Sequence, residues 1–286
     1  MDPISDFITK ISDDIINEYQ PITEKHIVYQ VYYTSENRVK KYSFQGLGDY
    51  IRGTIHLYQF IKQNKKDILL KVNFSNHVLN HFFVCDNHLT VKTCEEDVKY
   101  IFQVPLGNRL ENNYIFTNNL LLSNHIDQDC KDFIIKNCLT PRMDFMNKVT
   151  LTKQRLHIED YAYSMIHIRT HDDEQLNQSR LDKIIKIIQF ITRIEENKNT
   201  KFLLIANNDI YLEYINFSSI QHTHLKKAHL GMPQSNIENA QDTMIEFMLA
   251  STSKKIYQLS VYGWGSGFSD TIRNVYSVPI EHFSIY

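Results

Sequence analysis

Apolar positions in the second half of the chain switch regularly between two periods. SMIHIR (164–169), KFLLIA (201–206) and KIYQLSV (255–261) are short, nearly continuous apolar runs, the pattern of strands buried on both faces. Between the first two, residues 179–195 set Leu181, Ile184, Ile185, Ile188, Ile191 and Thr192 on one face of a helix. A short helix starts at Asp209, a longer one covers 236–250, and a last one covers 268–276. Strands that alternate with helices predict a parallel sheet covered on both sides.

The first half is less regular. Ile4, Phe7, Ile8, Ile11, Ile15 and Ile16 lie at helical spacing over 3–18. HIVYQVYY (26–33) and KYSF (41–44) read as strands, 50–63 as a helix and ILLKV (68–72) as a strand, so 41–72 is one βαβ unit. Helices are predicted near 128–138 and 142–155, broken at Pro141; the rest of 75–157 has no clear order. The expected architecture is two α/β domains, 1–157 and 158–286.

Composition narrows the function classes. Lys and Arg total 31 against 33 Asp and Glu, with no basic tail, which argues against nucleic acid as a partner. No apolar run reaches the ~18 residues of a membrane span, and Asp2, Asp6, Asp13 and Asp14 interrupt any signal-peptide core. Four cysteines without a CxxC pair indicate neither a zinc module nor a disulfide framework. A cytoplasmic protein is the expectation. Glycine is scarce, 8 residues where average usage gives about 20. Six of them cluster as Gly46, Gly48 and Gly53, and as Gly263, Gly265 and Gly267. Glycine retained so sparingly marks places where backbone freedom or close approach is needed.

Three constellations could carry chemistry. Gly46-Leu47-Gly48-Asp49 lies between a strand and a helix, where free amides favour an anion, or it is simply a tight turn; it matches neither the dinucleotide nor the Walker spacing. His167-Ile168-Arg169-Thr170-His171-Asp172-Asp173-Glu174 lies at the carboxyl end of a buried strand, where open α/β sheets bind ligands. Arg169 there could grip a phosphate or pair with the acids that follow, and His167, His171 and Asp172 could hold a metal. Ser260 to Ser269 places three glycines, three serines and the one Trp between a strand and a helix. That loop could be an amide nest for phosphate, with Arg169 neutralising the charge, or a turn capped by Ser266 or Ser269.

Taken together these segments resemble the fucosyltransferase superfamily of GT-B glycosyltransferases, which holds the α-1,2- and α-1,6-fucosyltransferases and the protein O-fucosyltransferases. Gly46-Leu47-Gly48-Asp49 is similar to the family's GLGN or GLGD turn, and His167-Ile168-Arg169-Thr170-His171-Asp172 to its H-x-R-R-G-D strand end. LLIANND, with Asn208 and Asp209 at the acidic positions, then Asp242 on a helix and Ser266-Gly267-Phe268-Ser269 opening the last helix, follow in the family's order. Thr170 and His171 depart from it, replacing an Arg and a Gly. The stretch 75–157 carries no resemblance.

The resemblance implies a GT-B-like fold, two Rossmann-like domains facing a cleft, with the acceptor side in 1–157 and the nucleotide-sugar side in 158–286. It implies a metal-independent, inverting transfer from a GDP-sugar donor, first of all GDP-L-fucose, to a hydroxyl of a glycan or glycoconjugate acceptor, with no further cofactor. Arg169 and the 266–269 amides would stabilise the departing diphosphate; His167 and Asp172 would shape the phosphate and ribose side, and Asp242 would read the guanine edge. Gly46, Gly48, Asn208, Ser266, Gly267, Phe268 and Ser269 complete the expected donor site. The base that takes the acceptor proton would be Asp49, Asp173 or Glu174. A non-catalytic nucleotide-sugar or glycan-binding module on the same fold is the alternative, and a metal-dependent hydrolase using His167, His171 and Asp172 a third. A protein without an anchor suits a bacterial or viral enzyme better than a Golgi-resident one.

Overall fold

The computed structural model describes residues 27–31, 47–48, 51–52, 54–55, 69–73, 81–84, 99–102, 114–117, 126–172, 174–195, 200–225 and 237–286. The chain divides into two compact units, Met1–Arg142 with Gly231–Pro233, and Met143–Leu230 with Gln234–Tyr286. This division falls ahead of the 157/158 boundary read from the sequence.

In the first unit, β1 (Ile27–Val31), β2 (Leu69–Asn73), β4 (Lys99–Phe102) and β5 (Tyr114–Thr117) form a parallel sheet in the order β2-β1-β5-β4. β3 (Phe83–Val84) pairs antiparallel with β6 (Thr140–Pro141), and helix α1 (Gln128–Cys138) leads into β6. Asp127 caps α1 by accepting from the Cys130 amide at 2.9 Å. Leu47 and Gly48 are already helical and buried, as are Ile51, Thr54 and Ile55, so a helix starts earlier than residue 50. The predicted helix 3–18 and strand 41–44 lie outside the described residues. β4 and β5 are strands that the sequence reading of 75–157 missed.

The second unit carries five parallel strands in the order β11-β10-β7-β8-β9: β7 (Tyr163–Arg169), β8 (Lys201–Ala206), β9 (Ile220–His222), β10 (Lys255–Ser260) and β11 (Ile280–Ser284). Helices α2 (Met143–Arg155), α3 (Gln178–Glu195), α4 (Ile237–Ser251) and α5 (Gly267–Tyr276) accompany them. α2 packs against α4, and α4 against α5. The segment from Asp209 is a 3-10 turn, Asp209–Tyr214, and the short edge strands β9 and β11 were not visible in the apolar pattern. Among the described residues no helix is long and apolar enough to cross a membrane.

The two faces of this sheet differ. Ile166 and Ile168 of β7, with Tyr257 and Leu259 of β10, bury against Leu181, Ile184, Ile188 and Ile191 of α3 in one hydrophobic core. Side chains alternate along a strand, so His167 and Arg169 point to the other face. Register sets Gln258 beside His167 and Ser260 beside Arg169 on that same face. It meets α5, where the His167 ring lies 5.2 Å from that of Phe268.

The turn from β10 into α5 depends on one glycine. Gly265 has φ +87, and a Cβ there would run into the buried Gln258 amide. Its carbonyl accepts from the Ser260 hydroxyl at 3.0 Å. Among the described residues an added Cβ at Gly263 meets nothing within 4 Å, so close packing against them does not explain it.

Two outcomes check this packing. Ile188→Ala, in the α3 core, should lower unfolding free energy by about 2–5 kcal/mol in urea titrations, and a change under about 0.5 kcal/mol would contradict its burial. Gly265→Ala should cost more than about 1 kcal/mol, while Gly263→Ala should stay within about 0.5 kcal/mol of the parent; equal losses would overturn the assignment.

Candidate functional site

Parallel strands bring the segments following β7, β8 and β10 to one edge of the sheet. Arg169, the last residue of β7, carries its guanidinium there with 17% of its side chain exposed. Nη1 donates to Asp172 Oδ1 at 2.5 Å and to the Thr170 carbonyl at 3.0 Å, and Nη2 donates to Asp172 Oδ2 at 3.4 Å. The guanidinium also lies over the Tyr262 ring, 5.5 Å from its centroid. Arg169 is therefore braced by these contacts, which use three of its five N–H donors.

Asn207 holds the backbone under it. Its Oδ1 accepts from the Thr170 amide at 2.8 Å, and its Nδ2 donates to the Thr170 carbonyl at 3.2 Å and to Asp172 Oδ1 at 3.1 Å. One side chain thus ties the end of β8 to the residue after Arg169 and to its carboxylate partner. Asn208, the neighbour expected in the donor site, makes different bonds. Asn208 accepts from the Ile210 amide at 3.1 Å, capping the 3-10 turn, and donates to the Glu174 carbonyl at 2.9 Å. The signal for Asn207 was its position immediately after β8, but only the strand pairing reveals which of two adjacent asparagines faces β7.

The N-terminus of α5 is the second part of the site. Ser266 occupies the N-cap position, yet its hydroxyl makes no capping bond. The first helical bond runs from the Asp270 amide to the Ser266 carbonyl at 2.9 Å. Among the described residues nothing accepts from the amides of Gly267, Phe268 and Ser269. These donors carry the positive end of the helix dipole. The Ser269 hydroxyl, expected as an alternative cap, instead meets His167 Nδ1 at 2.6 Å in a buried contact. Phe268 packs between His167 and Phe247, with ring centroids at 5.2 and 5.5 Å. Gln258 is buried beneath the turn, and among the described residues its Nε2 has no hydrogen-bond partner, a donor held without an acceptor.

Other predicted residues are placed differently. Glu174 Oε1 accepts from the Tyr211 hydroxyl at 2.7 Å and pairs with Arg180, while Oε2 accepts from the His171 amide at 3.3 Å; the side chain is 8% exposed. It fastens the loop after β7 to α3. Asp242 lies half-buried in the first half of α4. Gly48 is buried in a helix of the other unit. Gly46, Asp49 and Asp173 lie outside the described residues. His167, His171 and Asp172 do not gather as ligands: they face Ser269, Tyr262 and Arg169 respectively. Among the described residues no group of three His, Cys, Asp or Glu side chains could hold a metal ion.

No protein-family model matches the chain, and neither does the sequence of any curated protein. Solved structures do. The α-1,6-fucosyltransferase NodZ co-crystallised with GDP is 14% identical, with a TM-score of 0.55 over 91% of this chain and 96% of that one. NodZ soaked with GDP-fucose matches with the same score and identity, covering 91% of this chain and 95% of its own. NodZ from Bradyrhizobium matches at 13% identity and a TM-score of 0.56, over 91% and 95%. At this identity the likeness is one of fold: the chain has the GT-B-like α/β fold of that fucosyltransferase.

Proposed function

We propose that this protein is a glycosyltransferase that transfers a deoxyhexose, L-fucose first of all, from a GDP-sugar to a hydroxyl of a glycan or glycoconjugate. The observation that carries the reading is the uncapped N-terminus of α5, whose first three amides have no acceptor among the described residues, on the sheet face from which Arg169 projects. A diphosphate is the ligand such a site suits. It accepts from backbone amides at a helix N-terminus and takes a guanidinium in bidentate fashion. That NodZ was co-crystallised with GDP, and in another structure soaked with GDP-fucose, supports the choice of nucleotide.

In this reaction the acceptor oxygen attacks the anomeric carbon as the bond from that carbon to the β-phosphate oxygen breaks. The sugar inverts, GDP departs, and the acceptor proton passes to a base. Negative charge grows on the diphosphate in the transition state. Arg169 and the Gly267, Phe268 and Ser269 amides meet that charge with donors already oriented, so they stabilise the transition state more than the ground state. No metal ion is needed for that step in this reading. Asp172 and Asn207 set the direction of the guanidinium. His167 and Phe268 line the same face, and Asp242 is assigned to the guanine edge. Glu174 is committed to Tyr211 and Arg180, which leaves Asp49 or Asp173 as the base.

A non-catalytic nucleotide-sugar-binding module is the second reading. Its support is that the one described carboxylate among the three proposed bases is locked in structural bonds. Release of GDP from GDP-fucose that rises on adding acceptor separates the enzyme from the binder.

GDP at about 100 times its Kd should stabilise the protein by about 2.7 kcal/mol, a thermal shift of several degrees that EDTA leaves unchanged. Arg169→Ala should weaken GDP by at least about tenfold and abolish transfer while keeping the parent circular dichroism spectrum. A wild-type response to GDP in that variant, or none in the parent, would sink the site. Asn207→Ala should raise the GDP Kd by about twofold to tenfold in calorimetry; an unchanged Kd would show that its bridge does not orient Arg169.

A further inference from the structure

The loop between β10 and α5 holds a feature that the donor site does not use. Trp264, the one tryptophan of the chain, is 77% exposed. Single exposed apolar residues are ordinary, but this ring is mounted. It stacks on Tyr262 with centroids 4.9 Å apart and planes 27° from parallel. Tyr262 in turn is fixed from two sides. Its hydroxyl meets His171 Nδ1 at 3.0 Å, with the imidazole edge-on at 5.2 Å, and the Arg169 guanidinium lies over its ring. Tyr262 therefore joins the indole to the same arginine that would hold the diphosphate.

The indole has one face against Tyr262 and the other turned to solvent, on a loop set by the positive φ of Gly265. Beside it, the direction of a Gly263 Cβ is open space among the described residues. An aromatic face is electronegative and attracts polarised C–H groups. The apolar face of a pyranose presents such groups in a flat array, with its hydroxyls directed outward. A nucleobase could also stack, but its recognition needs side chains that read its edge, and Trp264 is flanked by glycines. At the rim, exposed His171 has a second ring nitrogen with no partner among the described residues, available to a sugar hydroxyl.

We propose that Tyr262 and Trp264 form a carbohydrate-stacking platform that seats a pyranose ring of the acceptor. Its role as an acceptor platform rests on the glycosyltransferase reading above; carbohydrate stacking does not.

The lone tryptophan makes the test site-specific. The full chain is titrated with β-linked tetrasaccharides of glucose, galactose and N-acetylglucosamine, and separately with GDP, while Trp264 emission is followed. The expected result is a saturable shift in emission with at least one tetrasaccharide. In calorimetry that sugar should bind Trp264→Ala at least about tenfold more weakly, and Trp264→Phe, which keeps an aromatic face, within about threefold of the parent. GDP affinity should be unchanged in both variants. If GDP binds but no tetrasaccharide moves the emission, the platform is overturned and the donor reading stands. If GDP moves the emission and Trp264→Ala weakens GDP tenfold with no sugar effect, the indole holds a nucleobase and the proposal fails. If a tetrasaccharide binds through Trp264 while GDP does not bind at all, the carbohydrate platform is upheld and the glycosyltransferase reading falls.

Discussion

The common direction of the five strands in the second unit is the constraint on which its candidate site depends. Because β7, β8 and β10 run parallel, the residues that follow each of them arrive at one edge. Arg169 comes from the first, Asn207 from the second, and the turn into α5 from the third. None of these is close to the others in sequence; the β7–β10 register puts Arg169 beside Ser260 and His167 beside Gln258. A shift by one residue would send Arg169 into the hydrophobic core under α3 and bring Ile168 to the site.

That edge is reached through an unusually polar stretch of interior. His167, Gln258, Ser260 and Ser269 are all buried on one side of the sheet, while the opposite side is filled with Ile, Leu and Tyr. Buried polar groups are costly unless paired. Most of these are: His167 with Ser269, and Ser260 with the Gly265 carbonyl and the Tyr262 amide. The pairs fix the turn and the first residues of α5. Among the described residues, what remains unpaired, the α5 amides and Gln258 Nε2, is donor in character.

The two residues after Arg169 have a local structural role. Thr170 is buried and bridged by Asn207 through both its amide and its carbonyl, and His171 is engaged with Tyr262. Thr170 thus anchors the strand end, and His171 supports the aromatic pair. The Arg169 guanidinium is braced by Asp172 and Tyr262.

Periodicity made the second unit legible: the apolar runs of β7, β8 and β10 and the isoleucine stripe of α3 are local patterns that read directly as elements. The strand-end location of Arg169 and the glycine-rich entry to the last helix were legible for the same reason. Short edge strands such as β9 and β11, and β4 and β5 of the first unit, have too few residues to show a period. Tertiary structure alone decided that Asn207 bridges Thr170 and Asp172 while Asn208 caps the 3-10 turn, that Glu174 is sealed by Arg180 and Tyr211, and that Ser266 leaves its helix uncapped. It also decided that Trp264 lies on Tyr262. Each of these depends on which side chain a strand register or a turn brings within hydrogen-bond or stacking distance. Residues far apart along the chain leave no trace of that in local composition or spacing.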